Sequence, residues 1–261
     1  AADNAIIHID GTSMGTSTFS GNLAYGQHTV YAELNGKRTD SKTIDVTMGS
    51  TAALPNVTLS FFENKTFTVK GVTFTMVAVE GGTFMMGATS EQGSDAESDE
   101  KPVHQVTLSS YYIGQTEVTQ ALWKAVMGTT ISEQRDKVGT SWSLYGEGDN
   151  FPMYYISWDD CQTFVSKLNQ LTGKRFRLPT EAEWEYACRG GKKSRGYKYS
   201  GSNSIEDVAW YDDNSSYKTH PVATKSPNEL GIYDMSGNVR EWCQDWKDSY
   251  SSAAQTNPTG A

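Results

Sequence analysis

The residues Asn228-Glu-Leu-Gly-Ile-Tyr-Asp-Met-Ser-Gly-Asn-Val-Arg-Glu-Trp-Cys-Gln-Asp-Trp246 carry the densest information in the chain. Two glycines, two asparagines, four carboxylates and two tryptophans fall within nineteen residues. That is too many turn formers for a regular helix or strand, and too many rings for a solvated linker. An ordered, irregular segment of this kind needs special partners for its backbone polar groups. One such partner is a hard cation. Asp234 and Glu241 offer carboxylate oxygens, and bends at Gly237 and Asn238 turn carbonyls inward. Calcium takes oxygen-only shells of this kind at about 2.3–2.6 Å. The other reading is a tight turn packed under Trp242 and Trp246, with its carboxylates in water. The EF-hand spacing is absent, so local chemistry leaves both readings open.

The totals bound the rest. A length of 261 residues suits one large domain or two smaller ones. With 24 glycines, 14 tyrosines and 7 tryptophans, the composition points to an ordered, loop-rich fold rather than disorder. A formal charge of −9 argues against a nucleic-acid partner, which needs a basic face. No apolar run approaches the ~20 residues that span a bilayer. No signal peptide is present, and Ala1-Ala-Asp-Asn reads as a processed or engineered start. Cys161, Cys188 and Cys243 match no zinc spacing, and each reads as a small buried hydrophobe.

Residues 5–60 alternate as short strands. Asp10-Gly11 and Asn35-Gly36 are two-residue hairpin turns, and Thr43–Thr47 and Val57–Phe61 read as further strands, with a break at Met48-Gly-Ser50. This predicts a small all-β sandwich over residues 1–62, with His28 as a turn residue. Ile7, Ile9, Asp10, Gly11, Gly15 and Thr16, then Leu23, Gly26, His28 and Val30, resemble the PEGA family of small extracytoplasmic β domains. Ser17-Thr18 departs from that family's threonine-proline.

Phe62–Lys65 is a polar break, and a second domain is expected over 66–261. Phe67–Val79 reads as a hairpin around Gly71, Thr83–Met86 as a strand, and Val103–Leu108 as a strand that Tyr111–Ile113 continues. The acidic run 88–101 reads as a solvated loop. Three helices have legible ends. Thr119 caps Gln120–Met127 before Gly128; Ser157 and Asp160 open a helix that Gly173 ends; Thr180 and Glu183 open Glu181–Cys188. The second helix shows a stripe of Trp158, Cys161, Val165 and Leu168; the third is expected to bury Trp184, Ala187 and Cys188. The helix dipole accounts for Glu181, Glu183 and Glu185. Residues 128–150 and 190–227 read as long connections. Their Trp142, Tyr145, Tyr197, Tyr199, Trp210, Tyr211 and Tyr217 suit ligand contact and loop anchoring equally.

Met76–Gly87, Pro102–Leu108, Gly114–Thr119, Phe151–Trp158, Arg177–Ala187 and the opening stretch together resemble the formylglycine-generating enzyme (sulfatase-modifying factor) family, over about residues 66–250. The resemblance implies an α+β fold related to the C-type lectin domain, with much irregular structure. It also implies structural calcium held by Asp234, Gly237, Val239 and Glu241, the two carboxylates by side chain and the other two by carbonyl. A second family calcium site, in the loop matching Val208–Val222, is not reproduced here. The family's oxidase activity resides in two copper-binding cysteines near the C-terminus of the domain. None of Cys161, Cys188 or Cys243 falls at those positions; the sequence stops in the polar tail Ser249–Ala261, and the 66–261 domain is expected to lack its C-terminal part, with the family's Arg-Gly-Gly-Ser-Trp segment and final Gly-Phe-Arg strand. Copper is expected only with a further C-terminal segment carrying that pair.

These readings favour a non-catalytic extracytoplasmic or cell-surface binding protein with structural calcium. Its ligand is protein or glycan, and its scaffold resembles one known to carry variable C-terminal binding surfaces. The alternative is a truncated oxidase that converts a sulfatase cysteine to formylglycine. Trp242 and Trp246 are expected to seal the core beside the calcium segment.

Overall fold

The computed structural model describes residues 4–39, 41–47 and 56–260. The chain divides into two compact units, Ala1–Glu63 and Asn64–Ala261. The break read at Met48–Ser50 lies outside the described residues.

The first unit holds β1 (Ile6–Ile9), β2 (Thr12–Thr16), β3 (Gly26–Leu34), β4 (Lys37–Arg38) and β5 (Lys42–Val46). They form one antiparallel sheet in the order β2-β1-β3-β4, with β5 also paired to β3. Both expected turns form. Asp10 and Gly11 lie at φ 50° and 79°, and Asn35 and Gly36 at 50° and 76°, the left-handed pair that matches strand twist. His28 Nδ1 meets Asp10 Oδ2 at 2.7 Å and Nε2 meets the Ala24 carbonyl at 2.9 Å, so His28 pins its turn. The register sets Ile7 opposite Ala32 and Ile9 opposite Val30, all on the core face. Residues 57–61, read as a strand, are irregular. Leu59 still reaches this core, with Phe19 and Leu23 packed beside it. Alternating apolar residues report alternate burial, not ladder pairing. The sheet is therefore covered by irregular chain.

The second unit holds β6 (Lys65–Val69), β7 (Val72–Val79), β8 (Gly82–Met86), β9 (His104–Leu108), β10 (Tyr111–Gly114) and β11 (Gln255–Thr256). Its helices are α1 (Gln120–Met127), α2 (Ile131–Val138), α3 (Trp158–Thr172), α4 (Glu181–Cys188) and α5 (Ile205–Val208). One sheet runs β10-β7-β6 and the other β11-β9-β8. Tyr111–Ile113 does not continue β9. The chain changes sheets at Ser109-Ser110, where Asn257 Oδ1 takes the Ser109 N–H and Ser110 Oγ takes the Gly81 N–H, and Tyr111 then pairs with Val79. The polar tail is also used structurally. β11 pairs in parallel with β9, and Tyr250 donates to Glu181 at 2.9 Å.

All three expected helices form with their caps. α2 lies inside a stretch read as a connection. Its Thr130–Glu133 capping box closes, and its polar face hides Ile131 and Gln134, both buried. On α3 the buried stripe is Cys161, Phe164 and Leu168, with Phe164 stacked on Trp123 at 5.2 Å. On α4 the buried residues are Ala182, Glu183, Tyr186 and Ala187, while Trp184 and Cys188 are half-buried. Glu183 tolerates burial because Arg177 grips both of its oxygens at 2.6 Å. The acidic run 88–101 forms two short 3-10 turns rather than a free loop. Arg189 ties it down through Thr89, Glu91 and the Gly87 carbonyl.

Candidate functional site

Asp234, Gly237, Val239 and Glu241 lie on the irregular segment that follows Ile232, in the second unit. Asp234 is 5% exposed and sits at φ 59°; its Oδ2 accepts the Ala223 N–H at 2.8 Å. Burial pushes its carboxyl above the ordinary range. Gly237 is at φ 121°, and a Cβ there would lie 2.4 Å from the Trp210 carbonyl oxygen, so only glycine fits. Asn238 donates its N–H to that same carbonyl at 2.8 Å, and its Oδ1 accepts from His220 N at 2.9 Å. Glu241 accepts the Trp184 indole N–H at 3.1 Å. The residue is exposed along a cavity that it lines, while protein crowded around its carboxyl, together with the Asp234 charge, pushes it up to about 7.

A fifth residue joins them. Glu117, 6% exposed, sits between the end of β10 and the Thr119 cap of α1. Its Oε2 accepts Asn238 Nδ2 at 2.8 Å, and its Oε1 accepts the Val239 N–H at 3.1 Å. Burial first, then the charges of Glu241 and Asp234, push it up to about 9. Sequence reasoning missed it: Gly114–Thr119 entered only as a stretch carrying the family resemblance, and neither period signals a buried acid there. The approach of the 228–246 segment is what buries it. Gln115 bonds to the Gly231 carbonyl, and Tyr233 N–H bonds to the Gln115 carbonyl.

The shifts run one way: the Glu241 and Asp234 charges raise Glu117, the Asp234 charge raises Glu241, and Asp234 is raised by burial alone. Among the described residues no three His, Cys, Asp or Glu side chains converge on one point. A cation here therefore needs backbone carbonyls as well. The donors are all oxygen, and left-handed bends at Asp234, Gly237 and Asn238 let carbonyls turn, so the segment fits a hard cation such as calcium.

A cavity of about 980 Å³ opens against this segment. Its floor includes Val72, Phe74, Leu122 and Phe164, and its rim includes Tyr145, Tyr217 and Trp242. Trp242 and Trp246 do not seal the core: they are 49% and 84% exposed. Trp242 is instead held by its indole N–H on the Ile156 carbonyl at 3.1 Å, and Trp246 stacks on Trp158. Aromatic rings have too little turn-specific signal for sequence to say which face of an irregular segment carries them. The three cysteines are unpaired, and burial pushes each thiol up to about 12, so none is a thiolate near neutrality.

Residues 60–259 match the family described as the sulfatase-modifying factor enzyme 1-like domain. A chaperone protein LppX from Paenibacillus barcinonensis is 36% identical over 210 residues, covering 66% of this chain and 71% of that protein. A formylglycine-generating enzyme from Streptomyces coelicolor is 28% identical over 238 residues, covering 70% of this chain and 73% of that protein. Among solved structures, Treponema denticola variable protein 1 superposes with a TM-score of 0.58 at 32% identity, covering 76% of this chain and 83% of that one. The mixed helix and sheet of the second unit is thus the C-type-lectin-like fold of these proteins.

Proposed function

The chain belongs to the sulfatase-modifying factor enzyme 1-like domain family, and on that premise we propose that it is a non-catalytic, extracytoplasmic binding protein. Its ligand is a protein or a glycan, received at the cavity beside the Asp234–Glu241 segment. The carrying observation is that cavity: about 980 Å³, with an apolar floor and exposed rings at its rim. Burial of such rings is a main source of binding energy at interfaces. A relative named as a chaperone and a structural neighbour named as a variable protein accord with a binding role. No helix among the described residues is long and apolar enough to cross a membrane. The first unit serves as a PEGA-like module attached to the binding domain.

Calcium, when bound, supplies positive charge to the acidic segment and fixes its bends. Asp234 and Glu241 would hold it by side chain, and Gly237 and Val239 by carbonyl. The segment in turn shapes one wall of the cavity.

The second reading is the oxidase, favoured by the formylglycine-generating enzymes among the relatives. The thiols of this chain do not support it, because none of Cys161, Cys188 or Cys243 falls at the positions of the family's copper-binding pair. One experiment separates the two. The purified chain is screened against a displayed-peptide library and a glycan array, and separately incubated with copper and a Cys-x-Pro-x-Arg peptide. Saturable binding that Trp242→Ala abolishes supports the binding protein. Aldehyde formation with no saturable ligand overturns it.

A further inference from the structure

Three tryptophans of the second unit come together where the 228–246 segment ends. Trp158, in the first turn of α3, donates its indole N–H to the Cys243 carbonyl at 2.9 Å, and Trp242 donates its own to the Ile156 carbonyl at 3.1 Å. The two indoles thus cross-clamp residues 156–158 to 242–243. Trp246 lies on Trp158 with ring centroids 6.3 Å apart and planes 27° apart, an offset arrangement rather than a sandwich. Trp246 is 84% exposed and Trp242 49%, so their ring faces are open. Tyr155, which precedes the clamped Ile156, holds a left-handed φ of 56°. That backbone is costly for an aromatic residue and persists only where surrounding contacts impose it. The polar neighbours are amides. Gln162 lies one turn along α3 from Trp158, and its Nε2 donates to Gln244 Oε1 at 3.1 Å. Gln162 Oε1 is left to accept and Gln244 Nε2 to donate, the two roles that a hydroxyl group complements.

We propose that Trp158, Trp242 and Trp246 form a stacking platform for a neutral polysaccharide, which crosses the Trp242 rim of the cavity and runs outward over Trp246. A pyranose offers a face of C–H bonds to an indole and a rim of hydroxyls to the amides of Gln162 and Gln244. A peptide is held instead through a free strand edge or through pockets for its side chains, and rings whose N–H groups are spent on a clamp present flat apolar faces. The clamp also fixes the orientation of Trp158 and Trp242 in advance, so little side-chain freedom is lost on binding. Charge selects a neutral glycan over an acidic one. The charges flanking Trp158 and Trp246 in the chain are Asp159 and Asp245, Lys247 is taken by Asp99, and the whole chain carries −9, so a polyanion is repelled.

This inference rests on the binding-protein reading above and narrows its ligand to a glycan; the test separates the two. Affinity electrophoresis of the full chain is run in hydroxyethylcellulose, laminarin and galactomannan, with polygalacturonate as the anionic control, beside the displayed-peptide screen and with near-ultraviolet circular dichroism as the check on folding. At least one neutral polysaccharide should retard the native chain, and polygalacturonate should not. Trp246→Ala removes a ring too exposed to matter for folding, and it should weaken that binding by about 10-fold or more, the loss typical of a ring at a binding hot spot. Trp246→Phe should lose less than Trp246→Ala. Tyr25→Ala, which removes an exposed ring of the first unit, should change nothing. Retardation that Trp246→Ala leaves intact, or equal retardation in polygalacturonate, overturns the platform. Saturable peptide binding with no retardation in any polysaccharide also overturns it and leaves the binding-protein reading standing. A native chain that binds neither peptide nor polysaccharide overturns both.

Discussion

Arg189 offers the sharpest test of how the second unit is held together. Its guanidinium pairs with Glu185 at 2.8 Å and Glu91 at 2.9 Å, and it donates to Thr89 Oγ1 and the Gly87 carbonyl. The Arg189 and Glu185 side chains are 18% and 17% exposed, so solvent screens this pair weakly. Arg189→Met removes the charge and keeps much of the stem. Breaking a buried pair on one side costs about 3–5 kcal/mol, because the remaining charge is left uncompensated. At a slope of about 2 kcal/mol per molar urea, the unfolding midpoint should fall by roughly 1.5–2.5 M. All seven tryptophans lie after residue 63, so indole fluorescence reports the second unit alone. The deficit should also depend on pH. Burial raises Glu185 above the ordinary carboxylate value even though Arg189 pulls it down. In the variant that opposing pull is gone, and the folded pKa rises further. A group raised on folding contributes stability below its unfolded pKa and loses it as pH rises through the folded one. The variant should therefore approach the native chain near pH 4 and fall furthest behind near pH 8. Glu185→Gln in the Arg189→Met background should recover part of the loss. A deficit below about 1 kcal/mol at pH 8, or one that does not change with pH, would show that this network is not what ties residues 87–101 to α4.

Chelation of calcium should lower the melting temperature, and Asp234→Ala should abolish that response; calcium at 100 times its Kd contributes about 2.7 kcal/mol, or roughly 5–10 °C for a unit of this size. An unchanged melting curve on chelation refutes the cation. Gly237→Ala should destabilise by at least about 2 kcal/mol in urea titrations, because the left-handed backbone is strained and the new methyl meets the Trp210 carbonyl. Cys161, Cys188 and Cys243 should resist maleimide at pH 7.5 in the folded chain and react on unfolding; fast labelling of any one contradicts its raised thiol pKa. His28 should titrate above the ordinary histidine value by NMR, and Asp10 below the ordinary aspartate value. The pair then supports the first unit most between those two values, and loses effect as pH rises through the one or falls through the other.

Local chemistry was legible wherever neighbours in sequence decide the outcome. Thr119, Ser157 and Thr180 mark helix starts because a cap is satisfied within three residues, and Asp10-Gly11 and Asn35-Gly36 mark turns because their backbone must be left-handed. The family motifs were legible for a different reason: six ordered stretches constrain one fold, and residues 60–259 match it. Buried polar groups were much less legible. Glu183 and Arg177 find one another six residues apart, but Arg189 meets Glu91 across 98 residues. The residues 88–101 that look solvated in sequence are anchored by that distant side chain.

By itself, then, the sequence determined the boundaries of α1, α3 and α4, the hairpin turns, the strand-rich first unit and the family of the second, but not α2 or α5. It also picked Asp234 and Glu241 as an acidic pair on an irregular segment. Only the tertiary structure brought Glu117 against Asn238 and Val239, more than 120 residues away in the chain. Only it sent Tyr111–Ile113 to a different sheet from β9, and left Trp242 and Trp246 facing outward. The physical reason is common to all three. Caps, turns and periodicity follow from forces between neighbouring residues, whereas the burial of a charge and the facing of an indole depend on which distant segment arrives to cover them.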